Sequence, residues 1–215
     1  MKRLDGKYKN KEFLQKNDSF EISRDIPLIG IISRLVDQKG IDILIPAIPS
    51  IVEMGAQFVL LGTGDEKHHQ LLRQLAKKYK KQVGIHIVFD MKLAKHIYSG
   101  CDLFLIPSYY EPCGLAQMIA LRYLTIPIVR ETGGLADTVE NFDPERGEGN
   151  GFSFKEYSSE AMIHAVERAV KIYRNKSFWP KLIQNANECD FSWNSSAKEY
   201  VELYQSTLSK KSRSY

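Results

Sequence analysis

The run Asp102-Leu-Phe-Leu-Ile-Pro-Ser-Tyr-Tyr-Glu-Pro-Cys-Gly-Leu-Ala-Gln-Met-Ile-Ala-Leu121 decides the fold. Its opening is short, apolar and bounded by turn residues. That predicts a strand over 102–106, buried on both faces. After Gly114 the apolar residues fall at helical spacing and predict a helix over 114–124. Glu111, Pro112, Cys113 and Gly114 therefore occupy a strand-to-helix turn. In open α/β sheets such turns lie at the carboxyl ends of the strands, where ligands bind. The N–H groups of Gly114 and Leu115 open the helix, with the positive end of its dipole behind them. A carboxylate beside unpaired N–H donors suits a neutral polyhydroxy group such as a sugar.

The same alternation runs outward in both directions. Strands are predicted over 27–33, 57–61, 84–89 and 126–130, with an edge strand over 151–154. Helices are predicted over 41–54, 65–80, 91–99, 134–141, 158–173, 177–189 and 193–208. Pro46 and Pro49 interrupt the first of these, and an interior proline costs about 3 kcal/mol, so a kink or a late start is expected. Strands separated by helices mean an α/β fold: a Rossmann-like parallel sheet with helices on both faces and right-handed crossovers. Residues 1–25 are polar and lysine-rich, with Asn10 placed to cap a short helix over 11–16. Nothing there starts a core, so the stretch reads as a linker remnant or a disordered tail. The domain proper is expected over 26–190, a last helix over 191–208, and a frayed basic tail over 209–215.

Composition narrows the function classes. The 215 residues suffice for one large domain with a substantial core. A formal charge of +4 fits a small anionic ligand and is too weak and dispersed to argue for nucleic acid. No apolar run is long enough to span a bilayer, so no membrane partner is expected. Three cysteines without a CxxC pair and five histidines without ligand spacing predict no structural metal and a reducing compartment.

Four predicted loops follow strand ends. Ser33 to Gly40 carries Arg34 and Lys39, which can clamp a diphosphate, although taken alone a solvated basic loop is the plainer reading. Gly62-Thr63-Gly64-Asp65 is a fragment of a dinucleotide fingerprint, or a tight turn with Asp65 as a helix cap. Phe89 at a strand end can stack on a base or belong to the core. Glu131 to Gly134 brings glycines that allow close backbone approach to a ligand, or simply serve the turn. Together these loops describe a nucleotide-diphosphate-sugar site.

With these residues assembled, the chain resembles the bacterial glycogen synthase and plant starch synthase family. The resemblance rests on Ser33-Arg34-Leu35 with Gln38-Lys39-Gly40, on Leu61 to Asp65, and on Glu111 to Leu115. Thr132 to Val139 and Phe191-Ser192-Trp193 complete it, so that it covers nearly the whole chain. It implies the C-terminal half of a GT-B glycosyltransferase, moving glucose with retention from ADP-glucose to the non-reducing end of an α-1,4-glucan, without metal or other cofactor. By that resemblance Arg34 and Lys39 hold the diphosphate and Glu111 contacts the glucose hydroxyls. Cys113, Gly114 and Leu115 present backbone to the sugar, Phe89 lies near the adenine, and Thr132 and Gly133 line the pocket. The partners implied are ADP-glucose or ADP, a glucan acceptor and an N-terminal GT-B domain toward which the last helix packs. The location implied is the cytoplasm, or a plastid in a plant.

The chain also departs from the family pattern. Ile119 stands where related glycosyltransferases have a second carboxylate, and Ala116 where some synthases have Thr. The Lys-x-Gly-Gly-Leu loop and catalytic-site His of the family's N-terminal domain have no counterpart here, so Met1 is expected to fall at the interdomain linker. A glycosyltransferase of another nucleotide sugar, and a noncatalytic nucleotide- or glucan-binding module, are the alternatives.

Overall fold

The structure, a computed structural model, describes residues 2–212. Its centre is a six-stranded, wholly parallel sheet in the order β3-β2-β1-β4-β5-β6. The strands are β1 (Leu28–Ile32), β2 (Gln57–Leu61), β3 (Val83–His86), β4 (Leu103–Ile106), β5 (Ile126–Arg130) and β6 (Phe152–Phe154). Successive residues serve opposite faces, so the strands are apolar along most of their length. Ile29, Ile31, Phe58, Leu60, Leu103 and Leu105 belong to one core; Leu28, Val59, Leu61, Phe104 and Ile106 belong to the other.

Helices cover both faces. The first core takes α2 (Ile41–Glu53), α7 (Ser159–Arg174) and α8 (Phe178–Glu188); the second takes α1 (Lys2–Asn17), α4 (Met91–Gly100) and α6 (Gly134–Thr138). The remaining helices are α3 (Glu66–Lys78), α5 (Ala116–Arg122) and α9 (Trp193–Ser212). The helix start expected at Gly114 moves to Ala116, because Gly114 adopts φ 75°. Strand β3 stops three residues short of expectation, since β2 ends at Leu61, the register partner of His86, and offers Phe89 nothing to pair with. Helix α2 starts at Ile41 despite its prolines. Seven of its apolar residues are buried, and Pro46 sits on the exposed side, where water can serve the carbonyl it leaves unpaired.

The N-terminal segment departs most from expectation. Residues 2–25 do contribute to the core: α1 lies along α4 and buries Lys7, Lys11, Leu14 and Gln15. These positions share one helical face, but three of the four are polar, which hides the face from an apolar-periodicity reading. Polar partners on the domain explain the burial. Lys11 Nζ lies 2.7 Å from Asp102 Oδ2 and donates to the Ile26 carbonyl at 2.6 Å and the Tyr173 hydroxyl at 2.9 Å. Lys7 Nζ donates to Thr125 Oγ1 at 2.6 Å, and Gln15 Nε2 to Gln57 Oε1 at 2.8 Å. Asp102 also accepts the Leu28 N–H, so the same carboxylate anchors α1 and the start of β1.

Helix α9 runs to Ser212, through most of the expected tail, and residues 213–215 lie outside the described residues. Trp193, Tyr200, Val201 and Tyr204 are exposed along it. No helix of the described residues is long and apolar enough to cross a membrane.

Burial pushes the Lys7 ammonium down to about 8, against an opposing pull from Asp102. Below that pH Lys7 is charged in both folded and unfolded chains, and its burial penalty is complete. Above it the unfolded chain alone retains the proton up to its ordinary value of 10.5, so the Lys7 contribution to stability rises with pH. Relative to Lys7→Met, the unaltered chain is expected to gain about 2 kcal/mol between about pH 7 and about pH 9.5. Denaturant titrations across that range check it, and a constant difference contradicts the buried docking of α1.

Candidate functional site

The chain runs outward from β1 to β3, then returns to β4 and runs outward the other way. The seam between β1 and β4 is therefore a topological switch point, the place where ligands bind in open parallel sheets. A cleft of about 130 Å³ opens there, lined by Ser33, Arg34 and Lys39 after β1 and by Ser108, Glu111 and Ala116 after β4.

Glycines let the flanking loops touch through their backbones. Gly40 ends the turn Asp37–Lys39 with φ 75°, and a Cβ there would meet the Pro107 carbonyl oxygen at 2.1 Å. The Tyr109 N–H donates to the Gln38 carbonyl at 2.9 Å across the same seam. On the other side Gly133 adopts φ 47°, and its Cβ would stand 2.1 Å from the Glu111 carbonyl oxygen. The Gly134 N–H reaches the Pro112 carbonyl at 3.1 Å. The second loop joins the first in the same way, with Leu35 N–H donating to Thr63 at 2.8 Å and Asp65 N–H to Leu35 at 2.9 Å. Asp65 sits at the α3 N-cap position without a side-chain cap bond.

This packing sets Lys39 against Glu111. Lys39 Nζ lies 2.5 Å from Glu111 Oε2, and the Ser108 hydroxyl donates to the same oxygen at 3.2 Å. Arg34 is exposed beside them and reaches Gln38 Oε1 at 3.4 Å. The loop is braced from behind. Asp37 takes Lys67 at 2.7 Å and His68 at 2.9 Å, and the Lys67 hydrogen bond, helped by His68, holds its carboxyl below the usual range. The Tyr157 hydroxyl donates to Asp42 Oδ1 at 2.5 Å and lies 3.0 Å from the Asp37 carbonyl; burial, then Asp42, pushes its pKa up. Arg130 donates to the Tyr109 carbonyl at 2.7 Å. Two cations and one carboxylate thus converge on one small cleft, a set suited to an anion joined to a hydroxylated group.

The expected site residues are distributed unevenly. Arg34, Lys39 and Glu111 line the cleft. Cys113 is exposed beside it, and its neighbour Gly114 is half-buried. Leu115 points into a separate apolar groove with Met118, Ile119, Tyr123 and Phe191. Phe89 follows β3, two strands from β1, and is 81% exposed, so it is neither in the core nor in the cleft. Gly133 packs against the Glu111 loop, and neither it nor Thr132 lines the cleft. Sequence reasoning missed Ser108 and Gln117. Gln117 is fully buried and donates to the Gly114 carbonyl at 2.8 Å and to Thr138 at 3.1 Å, fixing the turn. Its spacing from Cys113 and Gly114, and its place on a buried face, were the available signals. Among the described residues no His, Cys, Asp and Glu side chains gather into a metal-binding group.

Gly40→Ala is expected to lose more than the ~1–3 kcal/mol of a strained left-handed backbone, because the new Cβ also strikes the Pro107 carbonyl. Gly147→Ala is the comparison. Its φ is similar at 67°, but its Cβ would meet only the flexible Lys181 side chain, at 3.3 Å. Equal losses for the two variants in denaturant unfolding contradict the loop-packing account.

Residues 13–188 match the family model described as Glycosyl transferases group 1. Glycogen synthase of Thermosipho africanus is 50% identical over 212 residues, which is 98% of this chain and 44% of that protein. Glycogen synthase of Kosmotoga olearia is 50% identical over 205 residues, 95% of this chain and 43% of that protein. The chain thus spans less than half the length of the curated relatives it matches. Among solved structures, the catalytic domain of starch synthase IV from Arabidopsis thaliana, bound to ADP and acarbose, superposes with a TM-score of 0.85 at 39% identity. The match covers 96% of this chain and 43% of that one. Sucrose-phosphate synthase from Thermosynechococcus elongatus shares the fold at a TM-score of 0.67 and 23% identity, over 93% of this chain and 49% of that one. The architecture is the Rossmann-like C-terminal fold of GT-B glycosyltransferases, and with the family model covering most of its length the chain belongs to the glycosyl transferases of group 1.

Proposed function

We propose that this chain is the donor-binding part of an ADP-glucose-dependent α-1,4-glucan synthase. The observation that carries the reading is the convergence of Arg34, Lys39 and Glu111 at the switch point, with Lys39 and Glu111 2.5 Å apart. The likeness to glycogen synthases, and to a starch synthase solved with ADP, supports this donor over another nucleotide sugar.

On this reading Arg34 and Lys39 take the diphosphate and stabilise the charge that develops on it as the glycosidic bond to the donor breaks. Glu111 accepts hydrogen bonds from the glucose hydroxyls and orients the ring. A second GT-B domain faces the cleft, holds the acceptor glucan near the anomeric carbon and excludes water. The product keeps the donor's anomeric configuration. Phe89, exposed after β3, would stack on the adenine, and that assignment belongs to the same proposal. So does a cytoplasmic location, or a plastid one in a plant.

Calorimetry with ADP tests the phosphate assignment. Arg34→Ala and Lys39→Ala are each expected to weaken ADP binding by about tenfold or more, the worth of one charge-assisted hydrogen bond. Unchanged affinity in both variants sinks the assignment. Stronger protection by UDP than by ADP in thermal melts would shift the donor to a uridine sugar.

A further inference from the structure

Within the cleft Lys39 and Glu111 satisfy each other's charge. Lys39 and Glu111 keep only 20% and 15% of their side-chain exposure, and each is the other's ionic partner. Ser108 adds a neutral donor to the same carboxylate oxygen, and so reinforces Glu111 without replacing its cation. An anion that draws Lys39 away leaves a largely buried carboxylate unpaired, and it also brings a second negative charge beside that carboxylate. Both effects oppose binding. A ligand avoids them only by bringing hydroxyl donors to Glu111 together with the anion for Lys39.

Resting on the nucleotide-sugar reading above, we propose that the Lys39–Glu111 pair makes the site prefer a nucleoside diphosphate that carries a sugar over one that does not. A sugar nucleotide replaces both ends of the pair at once: phosphate for carboxylate at Lys39, hydroxyls for ammonium at Glu111. A bare nucleoside diphosphate replaces one end and leaves the other charged and unmatched. Specificity arises from that penalty against the wrong ligand as much as from attraction to the right one. After transfer the sugar is gone, Glu111 reclaims Lys39, and the spent nucleotide is released. Glu111 is thus a specificity residue against product as well as a contact for substrate. The coupling is diagnostic, because removing a negative charge from beside an anion site would tighten ADP binding whether or not Lys39 were present, whereas the exchange of partners requires Lys39.

Titration calorimetry with ADP and with ADP-glucose, on this chain and on Glu111→Gln, Lys39→Met and the double variant, tests the proposal. Glu111→Gln is expected to tighten ADP binding by about tenfold, one charge-assisted contact no longer contested, and to leave ADP-glucose unchanged or weaker. In the Lys39→Met background the same change is expected to tighten ADP binding by much less, since only the direct repulsion between carboxylate and phosphate is relieved there. Unchanged or weaker ADP binding in Glu111→Gln, with Lys39→Met still impairing ADP, overturns the proposal and leaves the nucleotide site standing. Failure of both ligands to bind the unaltered chain overturns the proposal together with the reading beneath it. Unfolding midpoints recorded alongside separate either result from loss of fold.

Discussion

Backbone contacts too close for a Cβ hold the carboxyl edge of this sheet together. Gly40 against Pro107 and Gly133 against Glu111 each place a glycine where any side chain would strike a carbonyl oxygen. The chain reaches these points in left-handed conformations that glycine adopts without strain. The consequence is chemical. Lys39 immediately precedes Gly40, and Glu111 supplies the carbonyl that Gly133 approaches. The glycines therefore set the spacing of the charged pair, although neither takes part in it. A side chain at either position would move the loops apart, and the pair's separation would follow.

The strands and most helices were legible in the sequence, because a sheet covered on both faces demands uninterrupted apolar runs such as Leu-Ile-Gly-Ile-Ile and Leu-Phe-Leu-Ile. The order of those strands was not. Hydrophobic pattern marks where a strand lies, not which strand it pairs with, so the four loops looked equally close to one ligand. The β1/β4 seam puts the first and the Glu111 loop face to face and leaves Phe89 beyond an intervening strand. The glycines after β5, expected to approach a ligand or to serve the turn, pack against the Glu111 loop.

The burial of helix α1 escaped for a different reason. Burial normally announces itself as an apolar stripe, and here the buried stripe carries Lys7, Lys11 and Gln15. Each finds its partner far away in sequence, at Thr125, Asp102 and Gln57. A lysine is worth burying only when such partners are already positioned, and nothing local to residues 2–17 reports that they are. The same Asp102 opens the stretch from which the fold was read, so one carboxylate links the start of β1, the approach to β4 and the docked helix.

The central claim is that a ligand at the β1/β4 seam is held by exchange of partners within the Lys39–Glu111 pair. A crystal structure of the chain with ADP-glucose tests it most directly. The account predicts Lys39 Nζ on a phosphate oxygen, Glu111 on the sugar hydroxyls, and the ion pair opened between them. A nucleotide seated elsewhere on the sheet edge, with Lys39 and Glu111 still joined, would contradict it.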